Sequence, residues 1–190
     1  MLVDFPYFGA GINYFPNEVS ALKVFEPRYL LLIADCIKND ATFTVGVDLN
    51  TENQIISEVR IIEYQDIDNA EQLVITQCLK NYKLKNFNFE NEYPKIESFE
   101  HNDIGLPPEI SELESLEKKI INATAKLIEN GINLEIPNFN IDSYNRINKF
   151  YELCVMSPIN PEIKNYILEE KVLEKKFEIL NRYIDKILSI

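Results

Sequence analysis

Hydrophobic and polar residues follow two different periods along the chain. Up to about residue 100, short apolar and β-branched runs alternate with polar positions, which is typical of half-buried β-strands. We expect strands at Leu2–Phe5, Ser20–Phe25, Thr42–Leu49, Ile55–Tyr64, Gln72–Leu79 with a continuation through Phe89, and an edge strand at Lys95–Phe99. Beyond residue 107, apolar residues recur at three- and four-residue steps, which predicts helices.

One helix is predicted inside the β region. Pro27 suits the first position of a helix, because proline has no N–H group to leave unpaired there. We expect this helix to end near the turn-prone pair Asn39 and Asp40. The apolar side chains between these points share one helical face: Tyr29, Leu32, Ile33 and Cys36.

The second half of the chain predicts four helices. The first would begin at a capping box formed by Ser111 and Glu114 and end at Gly131 in a left-handed cap. The next spans Ile141–Val155, and a short one runs from Pro161 to about Leu168. The last carries one apolar stripe, with three lysines on its solvent side. Its stripe is Leu173, Phe177, Leu180, Ile184 and Ile187, and the lysines are Lys171, Lys175 and Lys176.

The change of period defines the predicted fold class and domains. The Gly- and Pro-containing segment near residues 104–108 is the expected boundary. We therefore predict an α+β protein, with a β domain at residues 1–106 that holds one inserted helix. A helical domain follows at residues 107–190.

Charge narrows the range of partners. The chain has 190 residues, with 31 acidic and 19 basic side chains, for a net charge of -12. That balance argues against sequence-independent nucleic-acid binding and against an anionic membrane surface, since both draw affinity from Lys and Arg. No apolar run approaches the ~18–20 residues that span a bilayer. The charge is compatible with basic or unfolded polypeptide partners.

No catalytic, cofactor or metal site is predicted. None of the five glycines precedes a lysine, which excludes a P-loop, and no third glycine completes a dinucleotide fingerprint. The single histidine, His101, lies in a polar stretch that predicts a solvated loop. The three cysteines are widely spaced among apolar residues, which favours small buried side chains and a reducing cytoplasm. They are Cys36, Cys78 and Cys154.

The segment from Asn13 to Leu30 carries the most specific pattern, and within it Phe25-Glu26-Pro27-Arg28-Tyr29 reads FEPRY. It resembles the opening of the Lon N-terminal (substrate-binding) domain family, in which an FPG step and an IFEPRY run lead from a strand into the first helix. The resemblance covers roughly residues 1–100. Three glycines of the family pattern are replaced here, by Asn17, Ile56 and Cys78. Asn17 can still adopt a positive φ, so its turn is expected to survive.

The resemblance implies a PUA-like β pseudo-barrel followed by a helical bundle. It also implies binding of unfolded or extended polypeptide, and a role as an adaptor in protein quality control beside a separate ATPase or protease. Full Lon proteases carry ATPase and Ser-Lys protease domains after this module, and neither motif occurs in the sequence. The expectation is a stand-alone, non-catalytic member.

Two interpretations of the FEPRY motif stay open. In the structural one, Phe25 ends a strand pointing into the core, and Glu26 faces the helix N-terminus. Pro27 fixes the first turn, Arg28 binds several acceptors of the interior, and Tyr29 packs with its polar tip. In the other, Arg28 or Tyr29 contacts a bound peptide directly.

Two further surfaces have alternative interpretations. Four aromatic side chains near the N-terminus are expected either to be exposed peptide contacts or to close the end of the barrel: Tyr7, Phe8, Tyr14 and Phe15. The alternative function is RNA binding, with lysines and aromatic side chains interleaved in a stacking platform. That platform would consist of Lys80, Lys83 and Lys85 with Tyr82 and Phe87.

Overall fold

The structure is a computed structural model that describes residues 2–47, 54–67 and 70–189, and its residues form two compact units, 1–102 and 103–190. The first unit contains six strands and one helix: β1 (Leu2–Gly9), β2 (Val19–Val24), α1 (Pro27–Asn39), β3 (Phe43–Gly46), β4 (Ile55–Asp66), β5 (Gln72–Asn88) and β6 (Lys95–Glu100). The second contains α2 (Ile110–Glu129), α3 (Arg146–Met156), α4 (Pro161–Glu169) and α5 (Leu173–Ser189). The predicted α+β class is confirmed.

The six strands form one sheet in the order β2-β5-β4-β3-β1-β6, and β5 pairs with β6 as well. Five strands therefore make a closed ring of pairings, and β2 is attached to that ring through β5. β1 and β3 are parallel, and the other pairs are antiparallel. The prediction that Lys95–Phe99 is an edge strand is wrong, because β6 lies between β1 and β5.

The other strands lie where they were predicted, with bounds that differ at one or both ends. β1 continues to Gly9, and β5 runs without interruption from Gln72 to Asn88. β5 reaches three neighbours because of this length: its first part pairs with β2, its last part with β6, and most of it with β4. The strand expected at Thr42–Leu49 is found at Phe43–Gly46, and residues 48 and 49 lie outside the described residues.

The core of the first unit packs α1 against the sheet. The helix buries the four side chains that its spacing predicted, and Asp40 ends it in the left-handed conformation. Burial of each large aliphatic or aromatic side chain contributes about 1.5–3 kcal/mol. The cluster under α1 includes Phe8, Tyr14, Leu22, Leu32, Ile33, Phe43, Val59 and Val74, and a second cluster contains Phe5, Tyr7, Ile56, Tyr82, Leu84 and Ile96.

In the second unit, helix ends differ from the predictions where side chains compete for the backbone. The predicted capping box at Ser111 and Glu114 is wrong, since α2 begins earlier and the N–H of Glu109 donates to Oε2 of Glu112 at 2.8 Å. Gly131 does end α2, with a φ of 87° and its N–H donating to the carbonyl of Ile128 at 2.9 Å.

The start of α3 was predicted five residues too early. Instead of helical hydrogen bonds, the N–H groups of Asn140 and Ile141 donate to Oε1 of Glu152, at 2.6 and 3.0 Å. α4 begins as predicted, because Asn160 caps it by accepting a hydrogen bond from the N–H of Ile163 at 2.9 Å. A carboxylate contact from within the helix therefore sets the start of α3, whereas a local cap sets the start of α4.

The prediction of Lys176 on the solvent side of α5 is wrong. Its side chain is buried, with Nζ 2.9 Å from Oδ1 of Asp103 and 3.2 Å from the hydroxyl of Tyr151. A second buried lysine, Lys149, pairs with Glu117 and Glu152. Both charges have partners, which a buried ammonium group requires.

Histidine and cysteine predictions have different outcomes. The prediction that His101 is solvated is wrong. The residue is buried, and its backbone N–H donates to the backbone carbonyl of Asn81 at 3.1 Å. The cysteines are free and buried, as predicted. Burial raises the pKa of the Cys36 thiol to about 11, so this thiol is a poor nucleophile near neutral pH.

Candidate functional site

A groove lies beside strand β2, and we call it the β2 groove. Within the described ranges, β2 pairs with β5 alone, so its other edge is open. The groove beside it encloses about 330 Å³. Its lining comes from the end of β1, from β2 and from the start of α1: Phe8, Gly9, Ala10, Ile12, Ala21, Leu22, Lys23, Phe25, Glu26 and Tyr29.

A β-bulge at Asn17 sets the direction of the backbone groups along β2. The N–H of Asn17 donates to the carbonyl of Cys78 at 3.0 Å, and the N–H of Cys78 donates to the carbonyl of Glu18 at 2.9 Å. Two residues thus face one, with Asn17 at a φ of 67° in the place usually taken by glycine. Since hydrogen-bonded positions alternate in an antiparallel pair, the backbone groups of Val19 and Ala21 point away from β5.

Aromatic packing forms the floor of the groove. The rings of Phe8 and Tyr29 lie 4.2 Å apart between centroids, and the side chain of Leu22 is buried beside them. The N–H of Gly9 donates to the Tyr29 hydroxyl oxygen at 3.2 Å, which ties the end of β1 to α1. Burial raises the pKa of Tyr29. The floor is therefore apolar and fixed by contacts among three elements.

The rim of the groove combines exposed apolar and charged side chains. Phe25 is 59% exposed and Ile12 is 39% exposed. Lys23 pairs with Glu71 at 2.8 Å, and Glu26 adds a carboxylate at the start of α1. This arrangement can accept an apolar side chain between polar ends.

The FEPRY motif forms the expected turn from strand to helix, but two of its side chains differ from the prediction. Val24 is buried, so alternation along the strand sends Phe25 outward, and the expectation of Phe25 in the core is wrong. Arg28 is also exposed and lies 3.7 Å from Glu26, so it forms no network in the interior. Pro27 occupies the first turn of α1 and Tyr29 packs inward, as predicted.

Of the two alternatives predicted for the four N-terminal aromatic residues, exposure as peptide contacts is wrong. Tyr7, Phe8, Tyr14 and Phe15 are all buried. Phe8 and Tyr14 pack in the cluster that includes the buried face of α1, and Tyr7 packs in the second cluster. Only Phe8 lies at the β2 groove. Sequence reasoning missed Phe25 and Ile12 as the exposed apolar pair, although the alternation along β2 was a signal for Phe25.

Tyr14 does not line the β2 groove, but its backbone hydrogen bonds hold the segment that leads into β2. Its N–H donates to Oγ of Ser57 at 2.8 Å, and its carbonyl accepts from that hydroxyl at 3.1 Å and from Nδ2 of Asn81 at 2.9 Å. These buried hydrogen bonds hold the loop that leads into the bulge at Asn17. Desolvation raises the pKa of the Tyr14 hydroxyl to about 12.

The predicted stacking platform for RNA is incomplete. Tyr82 is buried, and its hydroxyl donates to Oε2 of Glu58 at 3.0 Å, so its ring offers no face to a base. Lys85 pairs with Glu97 at 3.4 Å. The part of the prediction that used Tyr82 is wrong.

In residues 2–47, 54–67 and 70–189, no group of three or more His, Cys, Asp or Glu side chains is arranged to hold a metal ion. No helix within those same ranges combines the length and apolarity needed to cross a membrane.

The sequence and the fold agree on the class of protein. The family model for the ATP-dependent protease La (LON) substrate-binding domain matches residues 10–186. The chain therefore belongs to this family, as its FEPRY segment indicated. Comparison with curated proteins gives no match.

Solved structures from two organisms share the fold. The crystal structure of a Lon N-terminal domain protein from Xanthomonas campestris has a TM-score of 0.68 and 17% identity, and covers 95% of this chain and 98% of its own. The N-terminal domain of the Mycobacterium avium complex Lon protease has a TM-score of 0.70 and 12% identity, and the corresponding coverages are 96% and 98%.

Proposed function

We propose that this protein binds extended segments of unfolded polypeptide in the β2 groove, where the segment adds a strand to the open edge of β2. One observation carries the proposal: an unpaired strand edge lies directly beside an apolar groove with an exposed Phe25 on its rim. Main-chain hydrogen bonds would supply affinity, and the groove would accept alternate side chains.

This mode of binding fits a module that accepts many sequences. Backbone groups of Val19 and Ala21 would bond any extended chain except at proline. Each hydrogen bond contributes about 0.5–1.5 kcal/mol net. Because ordering a flexible segment opposes binding, we expect weak and reversible complexes.

Charge would favour basic segments. Residues 1–102 hold sixteen of the 31 carboxylates but only eight of the 19 cationic side chains. Segments that carry Lys or Arg beside an apolar residue would therefore associate faster, and binding would weaken with salt.

The family supports a non-catalytic role, and we propose that the protein acts as an adaptor in quality control with a separate ATPase or protease. The ring of five strands would be the PUA-like pseudo-barrel, followed by a helical bundle, with domains at residues 1–106 and 107–190. The three free cysteines support a cytoplasmic location. No observation favours the RNA-binding alternative.

Replacement of Phe25 tests the groove. Phe25→Ser should weaken binding of a fluorescently labelled, permanently unfolded polypeptide by about tenfold, measured by anisotropy, since it removes an exposed apolar contact. Phe89→Ser is the matched control. Phe89 is 54% exposed, directly follows β5 and lines a different pocket from the β2 groove. Equal affinities for both variants and the wild type would contradict the proposed site.

A further inference from the structure

A second open strand edge lies on β4. β3 pairs with β4 only as far as Val59, and over residues 60–66 β4 pairs with β5 alone within the described part of the chain. Beyond that pairing, residues 60–66 make no backbone hydrogen bond to any residue that the structure describes. Alternate backbone groups on the side of β4 away from β5 are therefore available to another strand.

A groove lies beside this edge, and we call it the β4 groove. It encloses about 440 Å³ between the end of α1 and residues 60–64 of β4. Ile37 and Ile61 line it and pack against the core cluster under α1, and Tyr64 lines it with 51% of its surface exposed. Apolar side chains of an added strand can pack there while its backbone pairs with β4.

A β-bulge at Ile62 shapes both the groove and its edge. Ile61 and Glu63 lie opposite successive residues of β5, so Ile62 has no residue opposite it. The bulge shifts the alternation by one residue, so Tyr64, and not Glu63, shares a face of the strand with Ile61. Because a bulge also bends and twists an edge, this edge disfavours the straight edge of a second folded sheet, whereas a flexible polypeptide can follow it.

Charge indicates which segments fit the β4 groove. Asp40 and Glu63 line it, and neither forms an ion pair with a residue that the structure describes. Asp40 ends α1, where the helix dipole adds negative potential. Arg60 also lines the groove, but its Nε and Nη2 donate to Oε1 of Gln77, at 3.0 and 2.6 Å. The two carboxylates are thus left for a cationic side chain of a ligand.

We propose that the β4 groove binds a second extended segment of polypeptide, one that carries lysine or arginine, by strand addition to residues 60–66 of β4. This inference rests on the proposed function, because it uses the same kind of client. The two open edges flank the same part of β5, since residues 72–77 pair with β2 on one side and with β4 on the other. One long client therefore occupies both edges at once.

Strand spacing sets the client length that reaches both edges. Neighbouring strands lie about 4.8 Å apart, so segments added outside β2 and outside β4 lie about 19 Å apart. An extended chain spans about 3.3 Å per residue, so the connection between them needs at least about six residues. With about five residues on each edge, clients of roughly sixteen residues or more gain affinity from the second contact.

Peptide binding in a Phe25→Ser background isolates the β4 groove. The probe is a fluorescently labelled ten-residue peptide in which lysine alternates with valine, which is too short to reach both edges. We expect its dissociation constant, measured by anisotropy, to rise about tenfold when Asp40→Asn and Glu63→Gln are added, since both carboxylates lose their charge. Asparagine tolerates the left-handed conformation of Asp40, whose φ is 50°.

The matched control removes two carboxylates elsewhere in the same unit. Asp4→Asn with Glu90→Gln makes the same change in net charge at two exposed residues that line a different pocket. In the Phe25→Ser background, this pair should leave the dissociation constant of the ten-residue peptide within about twofold.

Peptide length and amide exchange test the contact itself. In the chain that keeps Phe25, a thirty-residue peptide of the same repeat should bind at least about tenfold more tightly than the ten-residue peptide. Asp40→Asn with Glu63→Gln should remove most of that gain, and the control pair should keep it. Binding of the ten-residue peptide should also slow hydrogen exchange of alternate amides among residues 60–66, measured by NMR.

Three results would overturn the β4 site. They are equal affinities of the two double variants for the ten-residue peptide, exchange at residues 60–66 that the peptide leaves unchanged, and a dimer of the free chain in which those amides are already slow. The last result would assign the edge to a second copy. Each of them leaves Phe25-dependent binding of the unfolded polypeptide in place, whereas loss of the Phe25 dependence would overturn the proposed function itself.

Discussion

Single residues decide where the open edge of β2 lies. Asn17 takes a left-handed conformation in the bulge, so it performs the role of the glycine that the family pattern has there. This outcome could be predicted from sequence, because asparagine tolerates positive φ. The exposure of Phe25 follows from strand alternation, whereas the burial of Tyr7 and Tyr14 depends on side chains of strands that are distant in sequence.

The burial of Tyr14 predicts a loss of stability at alkaline pH. Its pKa is raised from 10.0 to about 12, so the unfolded chain loses this proton first. The contribution of Tyr14 to the free energy of unfolding should therefore be fully retained below about pH 10 and should fall as the pH rises towards about 12. Urea unfolding at a series of pH values measures the slope.

Tyr14→Phe should flatten part of this dependence, since it keeps the ring but removes the ionisable hydroxyl. Some slope remains, because burial also raises the pKa of Cys36 from 9.0 to about 11 and raises the pKa values of Tyr29, Tyr82 and Tyr93. Tyr144→Phe removes a phenol from a side chain that is 82% exposed and is the control. A slope in Tyr14→Phe equal to that of the wild type would show that Tyr14 does not carry the effect.

At the scale of elements, local sequence signals predicted which helices and strands exist better than they predicted where each one begins and ends. The spacing of Leu32 and Ile33 and the Asn160 cap act within a few residues, and α1 and α4 lie as expected. The start of α3 depends on Glu152, which lies inside the helix and binds N–H groups before it. The position of β6 depends on ring closure between residues far apart in sequence.

The end of α2 offers a direct test of an element boundary. Gly131 has a φ of 87°, and a Cβ there would meet no atom within 4 Å. The cost of Gly131→Ala is thus confined to backbone conformation, and we expect a loss of about 1–2 kcal/mol in the free energy of unfolding by urea denaturation. Gly131→Asn should lose less, because asparagine tolerates this conformation. Equal stabilities of all three proteins would contradict the left-handed cap.

At the scale of the whole molecule, the ring of strands still leaves unpaired strand edges. Among the described strands, β2 extends from the ring through β5 alone, and β4 beyond Val59 also pairs with β5 alone. Sequence reasoning identified the family through the FEPRY segment, but one of its two alternatives placed peptide contacts on aromatic residues that are buried. The order in which the strands pair could not be predicted, because contacts between residues far apart in sequence define it.

Hydrogen exchange of individual amides, measured by NMR with and without the unfolded polypeptide, tests strand addition most directly. The amides of Val19 and Ala21 should exchange more slowly in the complex, because they would gain acceptors, while those of Ser20 and Leu22 already face β5 and should change little. Polypeptide binding that leaves the exchange of Val19 and Ala21 unchanged would contradict the account.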